Sequence, residues 1–303
     1  MNISYYPQAT IDKQKWDRCI DTAENGAVYA YSFYLDAMAA HWDALVWNDY
    51  EIVMPLTWNK KYTFFYLFQP FFCAQLGVFG NHLTADIVRS FLENIPSKFK
   101  YWDFYLNRHN LYALEGFPMY ERINYVLDLH RTYEEMARHY ADSHLRNMKR
   151  AIKQGNTVKR NISVRQIIAL AREQAKYFSP VTSADFEHFT SVLDLLQRQD
   201  RAVTYGVYAA NGQLTASCAF IFSHHRAYYI LVGNHPDGRT SGASHLMVDE
   251  FIRDHAGQDL LLDFEGSNIR TLAFFYERFG AEVEKYPGIK RNKLPPLVKL
   301  FRK

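Results

Sequence analysis

The stretch "LLLDFEGSNIRTLAFFYERFG", residues 260–280, places two acids directly after a run of apolar residues. The run 260–262 shows no alternation of apolar and polar residues, which is typical of a strand buried on both faces of a parallel sheet. Asp263 and Glu265 are two residues apart, so their side chains point to the same side of the strand. Ligands of parallel sheets bind at the carboxyl ends of the strands. The stretch therefore predicts a cleft at this strand end with two carboxylates in it.

Length and composition set the broad class of the protein. The chain has 303 residues, enough for two domains, and its net charge of +3 is too small to indicate nucleic-acid binding by itself. The three cysteines have no metal-ligand spacing, so we expect a reduced, cytoplasmic protein without a metal site. The N-terminus lacks the pattern of a signal peptide. No apolar run approaches the ~18 residues that span a bilayer, so no membrane span is expected.

Both halves of the sequence show the same order of predicted elements: helices, then antiparallel strands, then a further helix and strand. The second half opens with a long helix, which begins at Thr132 with Glu135 in a capping box and stops at Gly155. Asn211-Gly212 predicts a tight hairpin between two of its strands.

These patterns predict an α/β (α+β) fold with two domains. We place the N-terminal domain at 1–129 and the C-terminal domain at 130–303, each a mixed, mostly antiparallel sheet flanked by helices. The strand–helix–strand order near the C-terminus adds a parallel crossover to the second sheet.

The stretch "YYILVGNHPDGRTSGASHLMVDEFI", residues 228–252, supplies the first half of that crossover. A strand runs into a loop rich in Gly, Ser and Thr, and the loop opens a helix at about Ser244. Backbone N–H groups at a helix N-terminus form an anion site suited to a diphosphate, and Arg239 adds positive charge. A flexible turn with capping serines is the alternative interpretation.

The two acids and a tyrosine are the candidates for chemistry. Partial burial of Asp263 or Glu265 would raise the carboxyl pKa towards that of a general base. Either acid could instead cap the next helix or pair with an arginine. Tyr276 in that helix could protonate a leaving thiolate, or could serve packing alone.

These residues carry a family resemblance. The run "RTSGAS" contains Arg239 and Gly242 and is followed by a helix and a strand. The run "N…FYERFG" then supplies Asn268, Tyr276 and Gly280. This order resembles the acyl-CoA-binding core of the GNAT superfamily of N-acyltransferases.

The resemblance implies that acetyl-CoA or another acyl-CoA is the donor. The strand end would pair with the pantetheine amides and the loop would hold the diphosphate. Glu265 would accept the amine proton with Asp263 beside it, and Tyr276 would be the general acid. The donor-binding residues implied are Tyr229, Ile230, Leu231, Val232, Arg239, Thr240, Ser241, Gly242, Ala243, Ser244 and Asn268.

The chain as a whole is similar to one branch of this superfamily. The chain resembles the Fem-type (FemABX) peptidyltransferases, most strongly at 140–303. Three features carry this resemblance: the two GNAT-like halves, the run "HLRNMKRAIKQG" near the middle, and the run "DFEGSN…FYERFGA" near the end. Fem enzymes take their group from aminoacyl-tRNA and build peptidoglycan cross-bridges. Many carry a helical-hairpin arm. The helices predicted at 163–178 and 183–199 are too short and too apolar for one, which favours a small thioester donor.

A stripe of cations occupies one face of the long predicted helix. The spacing i, i+3, i+4 and i+7 puts four side chains together. They indicate a phosphate-bearing acceptor or donor or a tRNA backbone, while a solvated basic face is the alternative. The residues are Arg146, Lys149, Arg150 and Lys153.

The sequence thus favours an N-acyltransferase that moves an acyl group from acyl-CoA to a small-molecule or peptide amine. A Fem-type aminoacyl-tRNA-dependent ligase is the first alternative. A non-catalytic binding protein on a GNAT scaffold is the second, because fold does not fix function.

Overall fold

The structure of the protein is a computed structural model that describes residues 2–176, 180–266 and 268–295. The predicted fold class is confirmed, since helices flank sheets whose strands are mostly antiparallel. Among the described helices, none combines the length and hydrophobicity needed to cross a bilayer.

The chain forms two compact units. The first takes in the chain up to Arg122 and again from Lys285 onwards, and the second runs from Ile123 to Glu284. The second unit begins a few residues before the predicted boundary. The C-terminal segment, assigned by prediction to the second domain, groups with the first unit because residues 288–292 pair with a strand there.

The first unit is a mostly antiparallel sheet with helices packed against it. Its elements are β1 (Ile3–Tyr6), α1 (Lys13–Thr22), α2 (Ser32–Met38), β2 (His41–Trp47), β3 (Ile52–Lys61), β4 (Phe64–Phe68), β5 (Phe79–Gly80), α3 (Ala85–Glu93) and β6 (Phe99–Tyr105). The strand order is β1-β2-β3-β4-β6, in which β4 and β6 are parallel. The side chain of Thr84 caps α3 by accepting a hydrogen bond from the N–H of Ile87. Phe91, on the inner face of α3, is buried in the hydrophobic core.

The second unit repeats this plan with a longer helical layer. Its elements are β7 (Met119–Asp128), α4 (Tyr133–Ala137), α5 (Asp142–Lys153), β8 (Thr157–Arg160), α6 (Val164–Ala175), α7 (Ser183–Arg198), β9 (Ala202–Tyr208), β10 (Leu214–Ser223), β11 (Arg226–Asn234), α8 (Pro236–Ser241), α9 (Ala243–His255), β12 (Leu261–Asp263), α10 (Arg270–Glu277) and β13 (Glu282–Asn292). The residues of β7 up to Arg122 and those of β13 from Lys285 belong to the first unit. The strand order is β7-β12-β11-β10-β9-β8, and only the β11–β12 pair within this described order is parallel.

Local signals of the second unit are partly confirmed. The capping box of Thr132 and Glu135 is present, and β9 and β10 pair as the predicted hairpin. The prediction of a single long helix was wrong. Helices α4 and α5 are separate, because Ala141 adopts an extended conformation with φ −66° and ψ 143°. The pattern of apolar residues continues through the break, so periodicity alone did not reveal it.

Helix α9 is fixed on the sheet by aromatic packing. The ring of Phe251 stacks on Phe220 of β10 with 3.5 Å between centroids, and Tyr205 of β9 meets the Phe220 ring edge-on. This packing holds the first turn of α9 at the carboxyl end of β11.

Candidate active site

The two parallel strands of the second unit separate after a short contact. β11 and β12 pair from Arg226–Leu261 to Tyr228–Asp263, after which β12 ends and β11 continues to Asn234. Leu231 has φ +56°, and the register with β10 shifts here, so β11 carries a bulge. Beyond Tyr228 the described strands give β11 no partner on this side, and its backbone groups form an open edge.

A cavity of about 630 Å³ lies beside this open edge. Its walls come from β11, α6, the start of α9 and helix α10, and they mix aromatic and polar groups. This size and lining are typical of a small-molecule site. The lining residues central to the site are Tyr229, Val232, Asn234, Ser244, Phe275 and Tyr276.

The segment predicted as a Gly/Ser loop is largely helical, which corrects that prediction. Ser241 is the last residue of α8, Gly242 has φ +87°, and α9 begins at Ala243. A Cβ at Gly242 would overlap the carbonyl oxygen of Asn147, so the turn and its contact with α5 both require glycine. Pro236 at the start of α8 is compatible with a first helical turn, and this could have suggested the helix.

The start of α9 remains a candidate anion site. The first hydrogen bonds of the helix run from the N–H groups of His245 and Leu246 to Gly242, so the amides of Ala243 and Ser244 have no acceptor within α9 itself. The backbone of Arg239 and Thr240 lies in α8, and their side chains lie outside the described part of the structure.

Hydrogen bonds tie this helix start to the end of β11. The hydroxyl of Ser244 donates to Oδ1 of Asn234, and the N–H of Asn234 donates to Oε1 of Gln174 in α6 at 2.6 Å. The rim of the cavity is therefore held together by three elements of the second unit. Asn268, predicted to bind the donor, accepts a 3.5 Å hydrogen bond from the N–H of Ile123 through its Oδ1.

Glu265 has an unusual position. Its φ is +65°, a conformation rarely adopted by residues other than glycine and one that often occurs at functional sites. Its Oε1 is buried and has no hydrogen-bond partner among the described residues. Burial raises the pKa of its carboxyl well above the usual value, so the group holds a proton more readily than an exposed glutamate.

Asp263 has entirely different surroundings from Glu265. Its Oδ2 accepts from Nη1 of Arg226 at 2.6 Å, and its Oδ1 accepts from Nδ2 of Asn124 at 2.9 Å. Arg226 also binds the carboxylate of Glu284. The arginine pairing that the sequence left open as an alternative is thus what the structure shows for Asp263.

Tyr276 lies close to Glu265. Its ring packs on Phe264 with 4.6 Å between centroids and lines the cavity. Burial, with the nearby charge of Glu265 second, raises the pKa of the phenol, so it is a neutral hydrogen-bond donor at neutral pH. The structure therefore places Tyr276 in the wall of the cavity with Glu265 close to it.

Sequence reasoning missed a buried histidine, His144, and a half-buried one, His245. His144 of α5 donates through Nε2 to the carbonyl of Phe275 at 2.9 Å, directly before Tyr276. His245 of α9 lines the cavity, with 4.4 Å between the two imidazole centroids. Burial, with His144 and Arg150 next, lowers the pKa of His245 to about 3, so this ring stays neutral. The buried stripe that His144 shares with Met148 was the available signal.

The four predicted cations all lie on the exposed face of α5. Arg150 is the one that reaches towards the site, because its Nη2 donates to Oδ1 of Asn147 at 2.7 Å. The amide nitrogen of Asn147 in turn donates to Nε2 of His245 at 3.0 Å. The other three cations, Arg146, Lys149 and Lys153, form no ion pair within the described residues.

Comparisons with known proteins agree with this architecture. A family model described as a GNAT acetyltransferase domain matches residues 128–268. The crystal structure of FemX superposes over 100% of both chains with a TM-score of 0.68 at 12% identity. This chain has a GNAT-type, Fem-like fold. The family match supports an acyltransferase.

Further structures share the Fem-like fold. The C-terminal domain of a putative lysylphosphatidylglycerol synthetase from Agrobacterium fabrum has a TM-score of 0.59 at 12% identity, covering 97% of this chain and 95% of that one. The L-PGS structure from Bacillus licheniformis has a TM-score of 0.53 at 12% identity, covering 86% and 87%. No curated protein sequence matches the chain.

Proposed function

We propose that the second unit is an N-acyltransferase that moves an acyl group from an acyl-CoA thioester to an amine. The observation that carries this proposal is the open edge of β11 beyond Tyr228, beside the cavity of about 630 Å³. Pantetheine contains amide groups, which are suited to bind unpaired backbone groups of a strand edge.

The donor would lie along β11 and end at α9. The edge from Tyr229 to Val232 would bind the pantetheine amides. The N–H groups of Ala243 and Ser244 would bind the diphosphate, which the positive end of the helix dipole favours. The acyl carbonyl would then lie in the cavity near Tyr276.

Glu265 and Tyr276 divide the proton transfers. As the amine nitrogen bonds to the thioester carbon, Glu265 accepts the proton that the nitrogen loses. When the carbon–sulfur bond breaks, Tyr276 donates its phenolic proton to the sulfur and later regains one from solvent. A carboxyl whose pKa is raised by burial is suited to this role near neutral pH.

The direct test combines binding with turnover. Calorimetry should show coenzyme A binding to the wild type, and acetyl-CoA with a panel of small-molecule and peptide amines should release free thiol. If the folded wild type neither binds coenzyme A nor releases thiol with any amine, the proposal is rejected. Binding without thiol release for any amine would favour a non-catalytic binding protein.

A Fem-type aminoacyl-tRNA-dependent transferase is the second candidate. It is favoured by the likeness to FemX over the full length of both chains and by the exposed cations of α5. Charged tRNA would then bind tightly and with a steep salt dependence, whereas coenzyme A would not bind.

A further inference from the structure

We infer that Asp263 is a positioning residue: it holds the backbone of Glu265 in the conformation that buries the Glu265 carboxyl beside Tyr276. The inference rests on the proposed function, in which Glu265 is the proton acceptor. It removes Asp263 from the predicted catalytic residues and gives it a separate, testable role.

The carboxylate of Asp263 is fully engaged. Asp263 is only 3% exposed. Its Oδ2 accepts from Arg226, and its Oδ1 accepts from Asn124 and from the backbone N–H of Glu265. These contacts leave the Asp263 carboxylate bound to three groups of the protein itself, so its geometry is that of a structural anchor.

The turn after β12 depends on the same side chain. The N–H of Glu265 donates to Oδ1 of Asp263 at 2.8 Å, so the side chain of Asp263 closes a turn over its own backbone two residues on. Glu265 has φ +65° and Gly266 has φ +78°. A left-handed glutamate is strained and persists only where its surroundings fix it. The hydrogen bond from Asp263 supplies such a constraint.

Asp263 is itself anchored from several strands. Arg226 of β11 bridges Asp263 of β12 and Glu284 of β13, and Asn124 of β7 binds both acids. Among the described residues, Tyr276 of α10 interacts electrostatically with Glu265, and Asp263 accepts a hydrogen bond from its backbone N–H, while Arg226 and Glu284 act through Asp263. Of the two acids paired with Arg226, only Asp263 is hydrogen-bonded to the backbone of Glu265.

This difference provides a matched control. Asp263→Ala removes one ion pair of Arg226 and also the acceptor for the N–H of Glu265. Glu284→Ala removes the other ion pair of Arg226 and leaves that acceptor in place. Asp263→Asn abolishes the charge but keeps a side-chain oxygen for the N–H of Glu265. Asp263→Leu, whose side chain branches at the same atom as aspartate but has no hydrogen-bond acceptor, replaces the alanine variant if that one does not fold.

The readouts are thermal stability, kcat with acetyl-CoA, the acid limb of the pH profile, and the carboxyl pKa of Glu265. That pKa comes from the carbon-13 signal of labelled glutamate, which Glu265→Gln identifies by its absence. This last measurement needs no turnover.

We expect Asp263→Ala and Glu284→Ala both to lower thermal stability, because each leaves Arg226 partly unpaired in a buried site. Only Asp263→Ala should lower kcat, on the order of 10²-fold, because the base is misplaced. In the Asp263→Ala variant the pKa of Glu265 should fall towards the ordinary value of about 4.3, and the acid limb of the pH profile of kcat should shift to lower pH with it. Asp263→Asn should recover the pKa and the acid limb of the wild type.

Equal effects of Asp263→Ala and Glu284→Ala on the pKa of Glu265 would overturn the inference, as would an unchanged pKa in Asp263→Ala. A pKa that falls in Asp263→Ala while kcat stays constant would support positioning and reject Glu265 as the base. The two proposals therefore fail in different experiments.

Discussion

The parallel strand pairs of the two units end differently. In the first unit β4 and β6 pair from Phe65–Phe99 to Phe68–Asp103. The chain then fills the edge itself, since Leu76 forms a parallel bridge to Leu106. In the second unit β11 and β12 separate, and a cavity takes the corresponding place. The same strand arrangement is closed in one unit and open in the other.

Two buried amides near this strand end of the first unit and one buried carboxyl near that of the second unit show the same contrast. In the first unit, Asn110 accepts the N–H of Val78 at 2.8 Å, and Asn107 donates to the carbonyl of Leu76 at 3.0 Å, so these buried amides are satisfied. In the second unit, the buried Oε1 of Glu265 has no partner among the described residues. A fully satisfied network stabilises a fold, whereas an unsatisfied buried carboxyl is expected where function requires it. We therefore expect the chemistry in the second unit.

The largest expected effect comes from Glu265→Gln. The amide keeps the shape of the side chain but cannot accept a proton, so turnover should fall ~10²-fold or more. Burial raises the pKa of Glu265, so the folded chain holds a proton that the unfolded chain releases above about pH 4.3. The wild type should lose stability as the pH rises from there through the raised pKa, and the variant should lack this loss. Turnover assays and thermal melts across pH measure both effects.

Glu277→Gln is the control for this substitution, because Glu277 lies in the same helix as Tyr276 and a glutamine there keeps an oxygen that can accept from the hydroxyl of Tyr125. It should leave turnover unchanged. If Glu265→Gln keeps its turnover and melts at a lower temperature than the wild type, Glu265 is a structural residue and the contrast between the units disappears.

The matching change in the first unit is Asn110→Ala. It leaves the buried N–H of Val78 without its acceptor, and we expect a loss of about 1–3 kcal/mol in the free energy of unfolding. Turnover per folded molecule should not change, because the first unit holds no proposed reacting group. Urea denaturation and kcat on the same samples test this. A fall in kcat with unchanged stability would give the first unit a catalytic part.

Sequence patterns predicted the features that depend on neighbouring residues. The buried strand before Asp263, the capping box at Thr132 and the Asn211-Gly212 hairpin all follow from short-range chemistry, and all are present. The closeness of Glu265 to Tyr276 was also predictable, because strand and helix are adjacent in the chain.

The remaining features depend on partners far away in sequence. Asp263 and Glu265 look equivalent until Arg226 and Asn124 are known to bind only one of them. The closing of the first unit by Leu76 is likewise a tertiary contact. No local pattern distinguishes a filled strand edge from an open one, so sequence reasoning could propose a site at this strand end but could not distinguish the surroundings of the two acids.

Ser244→Asp tests the proposed diphosphate site at the start of α9 in the second unit, and its expected effect is smaller. A carboxylate in the first turn of α9 suits the helix dipole, so stability should be kept. The same charge would repel a diphosphate at that helix end, and we expect coenzyme A to bind roughly tenfold more weakly, measured by calorimetry. Gly242→Asp is a poor test, because a Cβ there would overlap the carbonyl oxygen of Asn147.

Ser244→Ala is the control for the lost hydrogen bond to Asn234. It removes the hydroxyl without adding charge and should bind coenzyme A more tightly than the aspartate variant. Equal affinities for the two variants would mean that the diphosphate does not lie at the start of α9.

The smallest effect concerns the cations of α5 and decides between the two donors. Lys149 and Lys153 are exposed, so Lys149→Ala with Lys153→Ala should change stability by no more than ~0.5 kcal/mol. Arg150 is left in place because it orients Asn147 beside His245. A nucleotide-sugar contacting these lysines would show a shallow salt dependence of binding. A tRNA would show a steep dependence, with a slope that falls by roughly one unit per cation removed.

Salt titrations of the binding of both ligands measure these slopes. The variant with arginine at both positions is the control, because it preserves the charge. A steep tRNA slope that flattens in the alanine variant and returns in the arginine variant would replace acyl-CoA by aminoacyl-tRNA as donor. It would also extend the open site of the second unit onto the surface of α5. Absence of binding by either ligand would identify the stripe as a solvated face, and the proposed donor site at β11 and α9 would stand on its own evidence.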